Sequence, residues 1–108
     1  MRVIITDFAK QEIRKTASYI QKEFGKNSKD NFLQSIRLTR KLIGANPYLG
    51  PIEQSLDELP GNYRSIVVNS LNKMVYSIKD NYILIEDLWD VRREPSMLKT
   101  RINPLSED

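Results

Sequence analysis

Two kinds of hydrophobic spacing divide the chain into a helical first half and a strand-rich second half. Over residues 7–24 an apolar side chain recurs every three or four positions, at Ala9, Ile13, Ala17, Ile20 and Phe24. This spacing predicts an amphipathic helix, and Thr6 before it is a suitable N-cap. Gly25 is expected to end the helix, because glycine adopts a positive φ without a Cβ penalty.

A second helix is predicted over residues 28–45, with Asn27 or Ser28 as its N-cap. Its apolar face is formed by Phe32, Ile36, Thr39 and Ile43. Only a short turn separates the two predicted helices, so they should form an antiparallel hairpin.

After the helices the spacing becomes that of β-strands. Residues 46–62 contain three prolines and two glycines, and they are expected to form a loop with one helical turn. Alternating apolar positions then predict three strands, over residues 63–68, 73–78 and 82–91. A β-branched run at residues 2–5 predicts a short edge strand at the N-terminus.

Two short polar turns connect the three later strands. The first is "NSLN", and the second is "KDNY", where Asp80 and Asn81 tolerate the positive φ of a two-residue hairpin turn. Residues 1–108 are therefore predicted to be one α+β domain. The order of elements is an N-terminal strand, an antiparallel two-helix hairpin and three antiparallel strands. The four strands would form one antiparallel sheet, with the helical hairpin packed on one of its faces.

The composition narrows the chemistry. A chain of 108 residues with 40% apolar and 29% charged residues is typical of one globular domain. It has no cysteine and no histidine, which excludes disulfides, thiolate chemistry and the commonest metal ligand and general base. We therefore expect no metal and no cofactor. No apolar run has the length of a membrane span or of a signal peptide, which predicts a cytoplasmic protein that does not bind membranes.

The charge is distributed unevenly. Residues 1–50 contain ten Lys and Arg against four Asp and Glu, a net charge of +6, whereas residues 51–108 have a net charge of −3. The basic half is the predicted helical half. Two interpretations stay open: attraction to nucleic acid or to an acidic partner, and an ordinary lysine-rich helix surface.

Four cations lie near the ends of the predicted strands: Arg64, Lys73, Arg92 and Arg93. Because the end of one antiparallel strand lies beside the start of the next, some of them could gather at one edge of the sheet. Arginine binds phosphates through its planar, permanently charged fork, so such a cluster would hold an anion.

The same residues also allow a purely structural interpretation. Arg64 and Arg93 could form ion pairs across the sheet with Glu86, Asp90 or Glu94. Tyr76 and Trp89 could be packed strand residues and not stacking surfaces for bases. Spacing alone does not decide between these alternatives.

The order of elements and two stretches of sequence point to a known family. The stretch "YRSIVV" gives a Tyr-Arg strand, and "KMVYSIKDNYILIEDLWDVRREP" gives a Val-Tyr strand, a short polar turn and a last strand ending in Arg-Arg-acid-Pro. With the basic helical hairpin before them, they resemble the RelE/ParE superfamily of bacterial type II toxins, which includes plasmid stabilisation proteins. The resemblance covers nearly the whole chain.

The resemblance implies a cytoplasmic toxin that an antitoxin holds inactive, as a toxin–antitoxin hetero-oligomer or with the toxin as a homodimer. RelE-like members cleave messenger RNA on the ribosome, and Arg64, Lys73 and Arg93 match basic positions of their catalytic site. ParE-like members poison DNA gyrase without a recognised catalytic site. For such a toxin, Arg92, Arg93 and Trp89 at the end of the last strand are the expected target-binding residues.

Three departures from the RelE-like pattern favour the ParE-like hypothesis. Ile66 stands where a second basic residue is expected, the chain has no histidine, and the tail "SMLKTRINP" has no tyrosine. Cleavage by the 2′-hydroxyl needs a proton acceptor and a proton donor, and only Tyr63 and Tyr76 remain as candidates. We therefore expect a non-enzymatic toxin. The alternatives are a RelE-like endoribonuclease and a degenerate module that only binds the antitoxin.

Overall fold

The computed structural model describes residues 1–102, so Asn103 and Pro104 of the tail quoted above lie outside the described residues. The described elements are β1 (Arg2–Ile5), α1 (Asp7–Phe24), α2 (Lys26–Ala45), a 3-10 turn (Gln54–Leu56), β2 (Tyr63–Val67), β3 (Asn72–Ile78), β4 (Tyr82–Asp90) and α3 (Ser96–Arg101). The predicted α+β class and its order of elements are confirmed, and α3 is an addition that the sequence pattern did not predict.

The four strands form one sheet in the order β1, β4, β3, β2. The pairs β2–β3 and β3–β4 are antiparallel, as predicted. The prediction of an entirely antiparallel sheet is wrong, because β1 pairs with β4 in parallel, with Arg2 opposite Tyr82 and Ile5 opposite Ile85. The sheet is therefore mixed, and β1 is an edge strand as expected.

The direction of α2 explains the parallel pair. The amino group of Met1 donates a hydrogen bond of 2.8 Å to the carbonyl of Gly44, which places the end of α2 beside the start of β1. The chain therefore returns to the end of the sheet at which β1 begins. Two hairpin reversals after β2 restore the direction of β2 in β4, so that β4 runs the same way as β1.

The two long helices pack as the predicted hairpin, but the turn between them is shorter than predicted. The Thr6 hydroxyl accepts a hydrogen bond of 3.0 Å from the Ala9 amide, which confirms the cap of α1. Gly25, at φ 91°, is the single residue between the helices. It is both the C-cap of α1 and the N-cap of α2, so the predicted caps Asn27 and Ser28 are wrong. No helix within residues 1–102 combines the length and apolar character needed to cross a membrane.

The turns between the later strands are short, as predicted. Asn69 Oδ1 accepts hydrogen bonds from the amides of Leu71 (2.8 Å) and Asn72 (2.9 Å), which fixes the turn between β2 and β3. In the next turn, the Lys79 amide donates to the Tyr82 carbonyl. The positive φ expected at Asp80 and Asn81 is wrong, since no described residue other than glycine has one.

The sheet is packed on both faces. The first core lies between the helices and one face of the sheet, and its strand members are Val3, Met74, Tyr76, Ile83, Ile85 and Leu88. The second core lies on the opposite face, and its members are Leu56, Tyr63, Val75, Trp89, Leu98 and Ile102. The unpredicted helix α3 therefore covers part of the face that the helical hairpin leaves open.

Candidate functional site

A concave surface of about 650 Å³ lies between α1, the turn at residues 69–72 and the end of β4, and we call it the arginine groove. Its apolar lining consists of Tyr19, Ile20, Phe24, Leu71 and Leu88. Its charged lining consists of Glu12, Lys15, Asp90, Arg92, Arg93 and Arg101. The predicted target-binding arginines therefore lie in the groove, opposite an apolar wall supplied by α1.

Arg92 forms a two-pronged ion pair with Asp90. Its Nε and Nη2 lie 3.0 and 2.7 Å from the two carboxylate oxygens of Asp90, and its amide donates to the same carboxylate at 2.9 Å. The hydrogen bonds from Arg92 lower the pKa of Asp90 to about 2. The ion pair thus orients Arg92, whose side chain remains 64% exposed to solvent.

Arg93 lies over the ring of Trp89, with the guanidinium carbon 4.7 Å from the ring centroid. This contact is a cation–π interaction, and it holds an exposed cation against the sheet. Trp89 itself is 1% exposed and belongs to the second core. Trp89 was predicted to bind the target, and the structure places its buried ring beneath the guanidinium of Arg93.

Arg101, on α3, connects both faces of the sheet. Its Nη2 donates to Asp87 on β4 (2.7 Å) and to Glu12 on α1 (2.8 Å). Its guanidinium carbon also lies 4.9 Å from the ring centroid of Phe8 and 5.2 Å from that of Trp89. A single side chain therefore ties α3, β4 and α1 together beneath the groove.

Asp87 is the buried member of this network. It is fully buried, and one of its carboxylate oxygens, Oδ2, has no hydrogen-bond partner among the described residues. Burial raises the pKa of Asp87 to about 6, although the hydrogen bond from Arg101 acts in the opposite direction. The Asp87 carboxylate therefore binds a proton more tightly in the folded chain, where it is buried, than it would in water.

The two other predicted catalytic residues lie on opposite faces of the sheet. Arg64 is paired with Tyr76, whose side chain belongs to the first core, whereas Lys73 is paired with Trp89 of the second core. Directly paired residues project from the same face, so Arg64 and Lys73 project in opposite directions. Arg64, Lys73 and Arg93 therefore do not all lie on one face of the sheet.

Arg64 and Lys73 also have partners of their own. Arg64 donates to the Gly50 carbonyl at 2.8 Å and lies 4.9 Å from the ring centroid of Tyr48. Lys73 forms an ion pair with the buried carboxylate of Glu53.

One of the proposed alternative ion pairs is wrong: among residues 1–102, Asp90 pairs with neither Arg64 nor Arg93. It is Arg92 that takes Asp90.

Neither tyrosine candidate for proton transfer is accessible. Tyr76 is fully buried; its hydroxyl donates to the Pro47 carbonyl at 2.7 Å and accepts from the Gly50 amide at 3.0 Å. Burial raises the pKa of this hydroxyl. Tyr63 is 4% exposed within the second core. The structural interpretation of Tyr76 and Trp89 as packed strand residues is confirmed by their burial.

The sequence did not indicate three residues that shape the groove. Tyr19 and Phe24 form an edge-to-face pair with centroids 6.5 Å apart, and they are 55% and 67% exposed. The helical spacing of the apolar residues in α1 predicted that Phe24 would face the core, so the sequence pattern did not indicate that Phe24 is exposed. Arg101 lies in a helix of six residues, too short for periodicity to predict.

The arginine groove has the features of a binding surface, and the two tyrosine candidates for proton transfer are buried elsewhere in the described part of the chain. An apolar, aromatic wall faces fixed arginines across a depression open to solvent. Such a surface suits an extended or helical segment that carries both apolar and acidic side chains.

Comparison with known proteins gives structural likeness and no match by sequence. One solved structure with this architecture is "Chromosomal ParDE TA system from P. aeruginosa", with a TM-score of 0.67 and 18% identity, over 83% of this chain and 95% of that chain. Another is "The structure of YoeB dimer from Staphylococcus aureus", with a TM-score of 0.53 and 23% identity, over 81% of this chain and 92% of that chain. No protein-family model and no curated protein matches the chain. At these identities the likeness concerns the fold, and the fold is the one that the RelE/ParE resemblance predicted.

Proposed function

We propose that this chain, which has the fold of the RelE/ParE toxins, is the toxin of a bacterial type II toxin–antitoxin system. In this proposal it is ParE-like: it acts by binding its target, DNA gyrase, and it catalyses no reaction. The observation that carries the second part is the separation of Arg64 from Lys73 on opposite faces of the sheet.

A ribonuclease of this fold would need its cations and a proton carrier around one scissile phosphate. Here the Arg64 and Lys73 side chains project in opposite directions, and the Tyr76 hydroxyl is buried with both its donor and acceptor functions used. General acid and base groups each contribute roughly 10²- to 10⁴-fold to a rate, so a site lacking them would be a poor catalyst. Binding by exposed cations such as Arg92 and Arg93 needs no such group.

The antitoxin partner is proposed to occupy the arginine groove. Tyr19 and Phe24 offer exposed apolar area, and Arg92 and Arg93 offer positive charge on the opposite side. A segment that is disordered when free and alternates apolar with acidic residues would bury the first and pair with the second. Occupation of the groove would cover the proposed target-binding arginines, which explains how the antitoxin neutralises the toxin.

One observation favours the RelE-like alternative. Lys73 lies opposite Trp89 in the register of β3 and β4, and Arg93 lies over the same Trp89 ring, so two of the three expected catalytic cations share a face. One of the solved structures with this fold is a YoeB dimer. A module that only binds the antitoxin is the remaining alternative, and it predicts binding without toxicity.

The test begins with co-expression of the chain and the product of the adjacent small reading frame. We expect the two proteins to copurify, and the free toxin to cause gyrase-dependent DNA breaks with supercoiled DNA. Transcript cleavage on translating ribosomes that depends on Arg64, Lys73 and Arg93 would instead establish the ribonuclease. Inactivity in both assays, with antitoxin binding retained, would leave the binding module.

A further inference from the structure

A second cationic surface lies away from the arginine groove, along the outer edge of β1 and the C-terminal half of α2. We call it the basic edge, and its cations are Arg2, Lys10, Arg37, Arg40 and Lys41. Two adjoining depressions of about 550 and 440 Å³ run along it and share Arg2, Val3 and Arg40. Neither shares a lining residue with the arginine groove.

The basic edge differs from an ordinary charged surface in that its described lining residues include no carboxylate. All five cations are exposed, and no described Asp or Glu lines either depression. Within residues 1–102 none of the five forms an ion pair. Arg37 donates to the neutral Gln34 Oε1 at 3.0 Å, and through space it also helps to lower the pKa of Asp30, whose ion-pair partner is Lys26.

The fold sets the positions of these cations. Arg40 and Lys41 lie three and four positions after Arg37, so the three side chains lie along one side of α2. Arg40 donates to the Val3 carbonyl at 3.0 Å, which fastens α2 to the free edge of β1. This contact brings the row on α2 beside Arg2, and α1 adds Lys10 from its first turns.

We propose that the basic edge binds the phosphate backbone of duplex nucleic acid. Exposed cations that form no ion pair and spread along a shallow surface match a row of phosphates, whose binding releases condensed counterions. The proposal goes beyond the function proposed above, because it concerns a different surface and does not depend on toxicity.

Two features distinguish a duplex from other anionic partners. No described aromatic side chain lines the two depressions, so the bases of a single strand would find no ring on which to stack. An acidic peptide would need pockets for its apolar anchors. The apolar residues here are mainly strand residues of β1 and the N-terminal Met1, and Val3 is already buried in the first core. Backbone contacts of this kind carry no sequence preference.

The test measures binding of the purified chain to dye-labelled duplex DNA and duplex RNA by fluorescence anisotropy over a range of salt concentrations. The variant Arg37→Gln/Lys41→Gln removes two cations and spares Arg40, which has a structural contact. It should weaken duplex binding and make the slope of log K against log salt shallower by about 2, roughly 0.9 for each lost phosphate contact. Comparing the DNA and RNA arms shows which duplex geometry the surface prefers.

The matched control is Lys22→Gln/Lys26→Gln, which removes the same charge at the far end of the helical hairpin. It should leave the salt slope unchanged, and circular dichroism should show both variants folded. Equal losses in the two variants would mean that only net charge matters and would overturn the proposal. It would also be overturned by tighter binding of single strands than of duplexes, or by displacement of the duplex by polyglutamate at equal charge concentration.

Discussion

The arginine groove and the basic edge are both rich in cations, but their cations are held in opposite ways. In the groove, Arg92 and Arg101 are matched to carboxylates, and Arg93 lies against a buried ring. Along the basic edge, Arg37 and Lys41 form no ion pair with a described carboxylate. The first region is built to hold its side chains in place, and the second leaves charge available to solvent.

The difference shows that adjacency in sequence is a poor guide to free charge. The pair Arg92 and Arg93 attracts attention in the sequence, yet one member is already bound to Asp90. The cations of the basic edge are dispersed over residues 2–41, and the fold brings them together. We therefore expect the groove to govern stability and partner recognition, and the basic edge to govern salt-dependent association.

The largest effect is expected from Arg101→Met. The substitution leaves Asp87 and Glu12 without their shared partner, and removal of one member of a buried ion pair costs about 3 kcal/mol or more. Urea denaturation would measure this loss. Lys99→Met on the same helix is the control, since Lys99 pairs with an exposed Glu58 and should matter little. A loss for Arg101→Met as small as that of the control would show that the network does not hold α3.

A smaller effect is expected from pH. Burial raises the pKa of Asp87 to about 6, so the folded protein binds this proton more tightly than the unfolded chain does. The free energy of unfolding should therefore rise by about 1 kcal/mol as the pH falls from about 7 to about 5. In Asp87→Asn the same titration should be flat. Stability that instead falls over this interval in the natural sequence would contradict the assigned direction.

The pH interval is chosen to separate Asp87 from carboxylates of the opposite kind. Hydrogen bonds from Arg92 lower the pKa of Asp90, and although burial acts to raise the pKa of Glu53, the hydrogen bonds and ion pair with Lys73, Ser55 and Ser65 leave it lowered. Their contributions to stability are present above the unfolded pKa and are lost only at lower pH, below about 4 to 5.

A minor effect on stability, with a large effect on recognition, is expected from Arg92→Gln/Arg93→Gln. Both side chains are exposed, and exposed ion pairs contribute little to folding. The midpoint of urea denaturation should stay nearly unchanged, while affinity for the proposed antitoxin segment falls. Titration calorimetry with the copurified antitoxin would measure the second quantity. Unfolding of the variant would assign these arginines a structural role.

The smallest effect on stability is expected from Arg37→Gln/Lys41→Gln. Neither side chain has an ion-pair partner to lose among the described residues, so the free energy of unfolding should change by no more than about 0.5 kcal/mol. Antitoxin affinity should also be unchanged, because the two regions share no lining residue. Loss of antitoxin binding in this variant would mean that the two regions form one interface.

Most of the fold could be predicted from the sequence because its signals are local. The spacing from Ala9 to Phe24 predicted α1, Thr6 and Gly25 marked its ends, and alternation predicted the later strands. The parallel pairing of β1 with β4 could not be predicted, because it depends on where residues 46–62 return the chain. The six residues of α3 are too few for a periodic signal.

The candidate site was less predictable because its contacts are distant in sequence. Arg101 and Glu12 are 89 positions apart, and no pattern in either segment indicates the other. We predicted that some of the four strand-end cations could gather at one edge, and alternation along the strands already limits which of them can share a face. Arg64 is paired with Tyr76 and Lys73 with Trp89, whose side chains lie on opposite faces of the sheet. The strand register therefore decides from which face each cation projects.

The most direct test of the proposed toxin is growth after induced expression in a bacterial host, with and without the product of the adjacent reading frame. We predict that the chain alone arrests growth, that co-expression of the adjacent product restores it, and that folded Arg92→Ala/Arg93→Ala does not arrest growth. Normal growth while the folded chain accumulates alone would contradict the account. Arrest that persists in the double variant would remove Arg92 and Arg93 from the target-binding surface.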